Sequence, residues 1–382
     1  MSVRLGELRP VYVVGVGFHR YQFLTDTPYV ELGLTAVRAA LADAGLAWPA
    51  VESAYVAKAL LPMAPGRPML RHLGATGIPI VHVENASASG SAAFRHAAIE
   101  VAAGVTDISL VVGVDKPMPV GRAEALARIG NLADDAIAPF THFALLADAY
   151  ASRTGVRLED IALVAVKNHR NGAKNPFAQH QKERTLEEIL NGKKIAGAFT
   201  SLQCTPVGEG AAAVIVASEE GLRRQGLSLD RAVRVASSAG CSQRVYDDAT
   251  RYDAMLTQET AGIALAEAQV SPRALDVVEL HDAFTVEEVE YVEAMGLCAD
   301  GEAVPRLKDG EFDIGGRCAV SPSGGLISMG HPIGPTGVGQ IGEITRQLRG
   351  EAGPRQQPGA RVGLAHMVGV GAVCYVHVLQ AL

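Results

Sequence analysis

Four short stretches carry side chains suited to nucleophilic or acid–base work. In VENASASG, residues 83–90, a short β-like run breaks into small residues around Ser87 and then opens a helix. The first-turn amides of a helix are unpaired and carry partial positive charge, so an anion at that tip is stabilised. A cysteine there would have a depressed pKa, whereas a serine hydroxyl needs an adjacent base before it can attack. Ser87 and Ser89 are also suited simply to cap the helix. In ELHDAF, residues 279–284, His281 and Asp282 end an apolar run. Open α/β sheets bind ligands beyond the carboxyl ends of their strands, and an imidazole there can orient a water or donate to a developing oxyanion. A loop histidine capping the helix that starts near Thr285 is the plainer alternative. SPSGGLISMGHPIGPTG, residues 321–337, surrounds His331 with glycines that permit close backbone approach to a ligand, and Pro332 fixes the chain after the imidazole. GLAHMVGVGAVCYV, residues 363–376, interrupts a strand-like run at His366, which faces either the same cleft or the core.

Strands and helices must bring these stretches together. VYVVGVG near the start, ISLVVGV (108–114), AAAVIVAS (211–218), DVVELHDAF (276–284) and AVCYVHVL (372–379) read as buried parallel strands covered on both faces. Between them, residues 29–46, 89–104, 142–155 and 285–297 read as helices, and three of the four run into a glycine stop. The class is α/β. From about 116 to 205 the strand runs thin out, which predicts a helical, loop-rich insertion between two strands of one sheet. A strand, glycine-rich turn and small-residue helix at 81–103 have a faint echo at 324–349, an expectation of two similar halves, 1–230 and 231–382.

Bulk properties exclude several functions. A net charge of −7 with no basic cluster gives phosphate backbones nothing to bind, so nucleic acid is not an expected partner. No segment approaches the roughly 20 unbroken apolar residues of a membrane span, and the N-terminal stretch is a poor secretory signal. The five cysteines are scattered without a CxxC pair, and His142, His169 and His180 lack ligand spacing, so no metal is expected. A cytoplasmic location follows as the default.

Together the four motifs resemble the thiolase superfamily over essentially the whole chain, with the nearest likeness to sterol-carrier-protein-type thiolases, also known as lipid-transfer proteins. VENASASG is similar to that family's nucleophile motif, HDAF to its HDCF or NEAF element, and SGGLISMGHPIGPTG to its GHP element. The segments VAVKNHRNGAKNPFAQ and SLQCTPVGEGAAAVIVASEE are similar as well. The resemblance implies a five-layer αβαβα architecture of two similar halves with an inserted loop domain, at least dimeric, acting on an acyl-CoA or 3-oxoacyl-CoA thioester. It implies coenzyme A as substrate or product, no permanently bound cofactor, and admits a small OB-fold or zinc-ribbon partner subunit. It places Ser87, His281, His331 and His366 as catalytic positions, and Ser323, Gly324, Gly325 and Gly369 as contacts for the coenzyme. The departures bear on chemistry: serine occupies the nucleophile slot, Ala283 replaces the cysteine of HDCF, and His366 stands where a second cysteine is common. Three readings follow: a thiolase-type acyltransferase in which serine replaces cysteine and leaves a slow or substrate-trapping form; a retro-aldolase for 3-hydroxyacyl-CoA, with Tyr246 or Tyr252 as base; and a non-catalytic acyl-CoA or lipid carrier or partner subunit.

Overall fold

The computed structural model describes residues 4–117, 139–246, 251–370 and 372–382, so part of the expected 116–205 insertion lies outside the described residues. The strands are β1 (Tyr12–Gln22), β2 (Ser53–Ala57), β3 (Ile80–Val83), β4 (Ile108–Asp115), β5 (Lys194–Ala196), β6 (Phe199–Thr200), β7 (Glu209–Ala217), β8 (Val233–Ser242), β9 (Val277–Glu279), β10 (Ala319–Val320), β11 (Val362–Gly369) and β12 (Val373–Ala381). The longer described helices are α1 (Tyr29–Ala44), α2 (Ser89–Ala102), α3 (Pro139–Thr154), α4 (Leu163–Gly172), α5 (Tyr252–Ala268), α6 (Thr285–Ala294) and α7 (Thr336–Arg349).

Apart from the β5–β6 hairpin, the strands form one sheet in the order β10-β9-β11-β12-β8-β1-β7-β4-β2-β3. Counted along the chain within each set of five, both sets follow the order third, second, fourth, fifth, first. Strand directions repeat too: β2 pairs in parallel with β3 and β4, as β9 does with β10 and β11, while the remaining neighbours are antiparallel. The two first strands, β1 and β8, join the sets antiparallel through Tyr12 and Val13. The expectation of parallel strands throughout is therefore corrected, since β1, β7, β8 and β12 are antiparallel to their neighbours. Their continuous apolar runs report burial on both faces, which helices on either side impose whatever the strand direction.

The layers can be read from alternating side chains. In β4, Leu110, Val112 and Val114 join Leu32, Val37 and Ala40 of α1 in an outer core, while Val111 points the other way. Val111 and Val214 meet Phe94 and Ala97 of α2 and Val338 and Ile341 of α7, with Val277 and Ala365 of the second set beyond them. A third core lies past that set, where Leu364 and Met367 meet Leu256 and Ala264 of α5 and Val289 of α6. The two five-strand sets of the sheet thus lie on either side of the central helices, with further helices outside each set. Among the described residues no helix is long and apolar enough to cross a membrane.

The central helices α2 and α7 are in contact, and small residues make this possible. A Cβ on Gly90 would lie 2.8 Å from both the Gly334 oxygen and the Val338 nitrogen, and one on Gly337 would lie 2.6 Å from the Ser91 nitrogen. The sequence reads the glycines around His331 as room for a ligand, whereas the structure uses Gly337 for backbone-to-backbone packing against the other half. Gly90→Ala would gain helix propensity in isolation, but here the added methyl collides with main-chain atoms that have little freedom to move. The expected outcome is a net loss of about 1–3 kcal/mol in urea unfolding, the usual cost of overpacking; unchanged or increased stability would mean that the two helices can separate freely.

Candidate active site

Ser87 sits in a tight turn between β3 and α2. Ala86 takes φ +50°, a left-handed conformation that costs a residue with a Cβ about 1–2 kcal/mol. Ser89 braces the turn: its hydroxyl donates to the Ala86 oxygen at 2.6 Å and accepts the Asn85 N–H at 2.8 Å. The N-cap is Ala88, without a side-chain cap, so neither serine caps the helix as the sequence allows. Gly369 closes over this turn, where a Cβ would come within 2.5 Å of the Asn85 oxygen.

Because α7 packs against α2, the loop that carries His331 reaches Ser87. Ser87 Oγ lies 3.0 Å from His331 Nε2, and His331 Nδ1 lies 2.8 Å from Thr336 Oγ1. A hydroxyl can donate or accept, so Thr336 accommodates either tautomer, and Nε2 can face Ser87 as acceptor or a ligand oxygen as donor. It cannot support imidazolium as a carboxylate would. Burial, reinforced by the neighbouring His281, holds the His331 pKa well below 6.5. The ring is neutral at pH 7 and a weak base for a serine hydroxyl.

His281 is supported differently. Its Nδ1 lies 2.7 Å from Glu287 Oε1, and the same carboxylate accepts the Tyr291 hydroxyl at 3.2 Å and the Phe284 N–H at 2.8 Å. With Nδ1–H donating to Glu287, Nε2 carries the lone pair. That nitrogen is buried and has no protein partner among the described residues. The His281 and His331 rings meet edge to face at 5.6 Å. Ser87, His281 and His331 are each 6–7% exposed, so all three are enclosed by the chain. Glu287 was missed from sequence, although its place at N3 of α6, three residues after Phe284, is a recognisable cap position.

His366 lies beneath this group and is fully buried. Nε2 is 2.9 Å from Thr257 Oγ1, and Nδ1 accepts the His281 N–H at 3.4 Å. Burial, then the nearby His281, pushes its pKa down to about 3. Both ring nitrogens are engaged inside the protein, so of the two alternatives left by the sequence the structure places His366 in the core, supporting the His281 backbone. The hydroxyls of the two tyrosines read as possible bases are held by other side chains, Tyr252 by its neighbour Asp253. The Tyr246 hydroxyl donates to Glu259 at 3.0 Å, and the Tyr252 ring stacks on His142. Burial raises both phenols, Tyr252 to about 12, which keeps them protonated at neutral pH.

Ser323, Gly324 and Gly325 are buried and make their close contacts with the chain itself. Ser323 donates its hydroxyl to Glu279 at 2.7 Å and its N–H at 2.9 Å. A Cβ on Gly324 would lie 2.8 Å from Gly172 Cα, and one on Gly325 would lie 2.0 Å from Asp282. Asp282 accepts the Leu326 N–H at 2.7 Å, which ties HDAF to the segment leading to His331.

This arrangement joins motifs from both halves of one chain. Residues 13–194 match the thiolase N-terminal domain, and residues 238–380 match the thiolase C-terminal domain-like family. The chain belongs to the thiolase family. It is 36% identical over 375 residues to benzoylsuccinyl-CoA thiolase subunit BbsB of Thauera aromatica, with 95% of each chain covered. Against sterol carrier protein 2 of Homo sapiens it is 34% identical over 394 residues, covering 97% of this chain and 71% of that protein. Among solved structures, the Ltp2-ChsH2(DUF35) aldolase superposes with a TM-score of 0.81 at 23% identity, covering 97% of this chain and 98% of that one. At that identity the likeness is one of fold. The family is that of the thiolase acyltransferases, and the likeness to the aldolase goes no further than the fold.

Proposed function

We propose that this thiolase cleaves or forms a carbon–carbon bond next to the carbonyl of an acyl-CoA thioester without an acyl-enzyme intermediate, in the manner of a retro-aldolase acting on 3-hydroxyacyl-CoA. The observation that carries the reading is the contrast between the two imidazoles. His331, beside Ser87, is neutral, weakly basic and supported by a hydroxyl. His281 is held by a carboxylate and keeps Nε2 free of protein partners. Activating Ser87 would require proton transfer from an alcohol to a depressed base. Accepting a proton from a substrate hydroxyl at His281 is the easier step.

In this reading Ser87 and His331 hold the thioester oxygen. His281 Nε2 takes the β-hydroxyl proton, the Cα–Cβ bond breaks, and the β-carbon leaves as an aldehyde or ketone. The electron pair passes to the thioester enolate, which His281 reprotonates at Cα to give a shortened acyl-CoA. The oxygen site supplies the preorganised stabilisation that such a transition state needs.

A second reading, acyl transfer through Ser87, is favoured by the 3.0 Å contact between Ser87 and His331. Intact-mass measurement after incubation with acyl-CoA separates the two. The expected result is no acyl adduct on the native chain, with Ser87→Ala slowing cleavage of 3-hydroxyacyl-CoA by about 10²–10³-fold, the loss of one oxyanion donor. An adduct that disappears in Ser87→Ala, or thiolysis gained by Ser87→Cys without any aldol cleavage in the native chain, would establish acyl transfer instead.

A further inference from the structure

The chain is poor in aromatic side chains, with 9 Phe, 9 Tyr and 1 Trp in 382 residues, yet several of them gather around Phe284, three residues after His281. The Phe284 N–H donates to Glu287 at 2.8 Å, so the Phe284 backbone lies against the carboxylate that holds His281. Phe143 of α3 stacks on Phe284 with ring centroids 4.5 Å apart and planes inclined at 26°, and Phe199 of β6 meets Phe284 at 5.4 Å. His142 packs edge-on to Phe143 at 5.2 Å and lies 5.7 Å from the Tyr252 ring, inclined at 30°.

Burial is graded along this wall. Phe284 and Phe199 are buried, whereas Phe143, His142 and Tyr252 are half-buried. Ala283, the residue before Phe284, carries only a methyl group. An alkyl chain laid along such a surface gains from leaving water, and a planar ring gains the same plus offset-stacked or edge-to-face contact with the phenylalanine quadrupoles. We propose that this wall is an acyl subsite with Phe143 as its specificity-determining residue, selecting thioesters whose acyl group carries an aryl ring. The inference rests on the acyl-CoA site described under Proposed function and adds the class of acyl group.

The test is the binding of two coenzyme A esters that lack the reacting oxygen, phenylacetyl-CoA and hexanoyl-CoA, measured by calorimetry on the full chain. Phenylacetyl-CoA is expected to bind at least about tenfold more tightly, which is about 1.4 kcal/mol. Phe143→Leu, similar in bulk but without a ring, is expected to bring the two affinities within about threefold, and Phe143→Tyr to keep the preference, since two aromatic contacts account for a factor of that size. Equal affinities in the native chain, a preference for hexanoyl-CoA, or a preference untouched by Phe143→Leu would overturn the aryl subsite alone. Binding of neither ester would overturn the acyl-CoA site itself, and the subsite with it. Should Phe143→Leu fail to fold, the native ratio decides.

Discussion

Replacing His281 with alanine is expected to lower the rate constant for cleavage of 3-hydroxyacyl-CoA by about 10²–10⁴-fold, the usual contribution of a positioned general base. On the proposed mechanism the thioester is held at Ser87 and His331 rather than at His281, so KM is expected to move far less than kcat, the pattern of an interaction made in the transition state. Glu287→Gln offers a graded comparison. The amide keeps the bulk and one acceptor oxygen, but it no longer provides two acceptor oxygens for His281, Tyr291 and the Phe284 N–H, so the ring loses both orientation and charge support. Its expected loss is smaller than that of His281→Ala, and circular dichroism and melting curves should show both variants folded. Full activity in His281→Ala would move the proton transfer to another group and remove the contrast between the two imidazoles as an argument.

The second large effect concerns stability, at a charge network behind the site. The Lys167 ammonium, on α4, donates to Asn168 Oδ1 and to the Val320 oxygen, each at 2.6 Å, and pairs with Glu288 at 3.1 Å. Both ends of the ion pair are only 2% exposed. The Asn168 amide donates to Asp282 at 2.6 Å and to Glu288 at 3.2 Å. Burial raises the pKa of both carboxyl groups; Glu288 adds to the effect at Asp282, and Lys167 opposes it at each. Lys167→Met would leave Glu288 and the Val320 oxygen without their cation, and removing one partner of a buried pair typically costs about 3–5 kcal/mol. Urea unfolding should show a loss of that order. The double variant Lys167→Met with Glu288→Leu should recover more than half of it, because the stranded carboxyl is gone. A single variant within about 0.5 kcal/mol of the native chain, the range of an ordinary surface change, would mean that the network has no structural weight.

Much of the scaffold was legible because burial writes itself into local patterns. The apolar runs at β1, β4 and β7 and the helices α1 and α2 were read within a few residues, since both faces of the sheet are covered. The run 276–284 reads as one strand in the sequence, yet only Val277–Glu279 pairs in the sheet. Beyond it the chain turns away, and Phe284 bridges to Cys204 while the Thr205 N–H bonds the Ala283 oxygen. An apolar stretch records burial and not the kind of neighbour that buries it, which is also why strand direction was misjudged.

By itself, the order of the motifs around Ser87, His281 and His331 determined the family and the groups available for chemistry, because those side chains and their flanking glycines are local properties of the chain. Only the tertiary structure decided which imidazole is supported by a carboxylate, that Thr336 rather than an acid stands behind His331, and that both nitrogens of His366 are engaged in the core. Those outcomes depend on side chains that are distant in sequence, such as Thr257 and His366, or on helix register, as with Glu287. Hydrogen-bond partners and burial set proton affinity, and both are properties of the packed molecule.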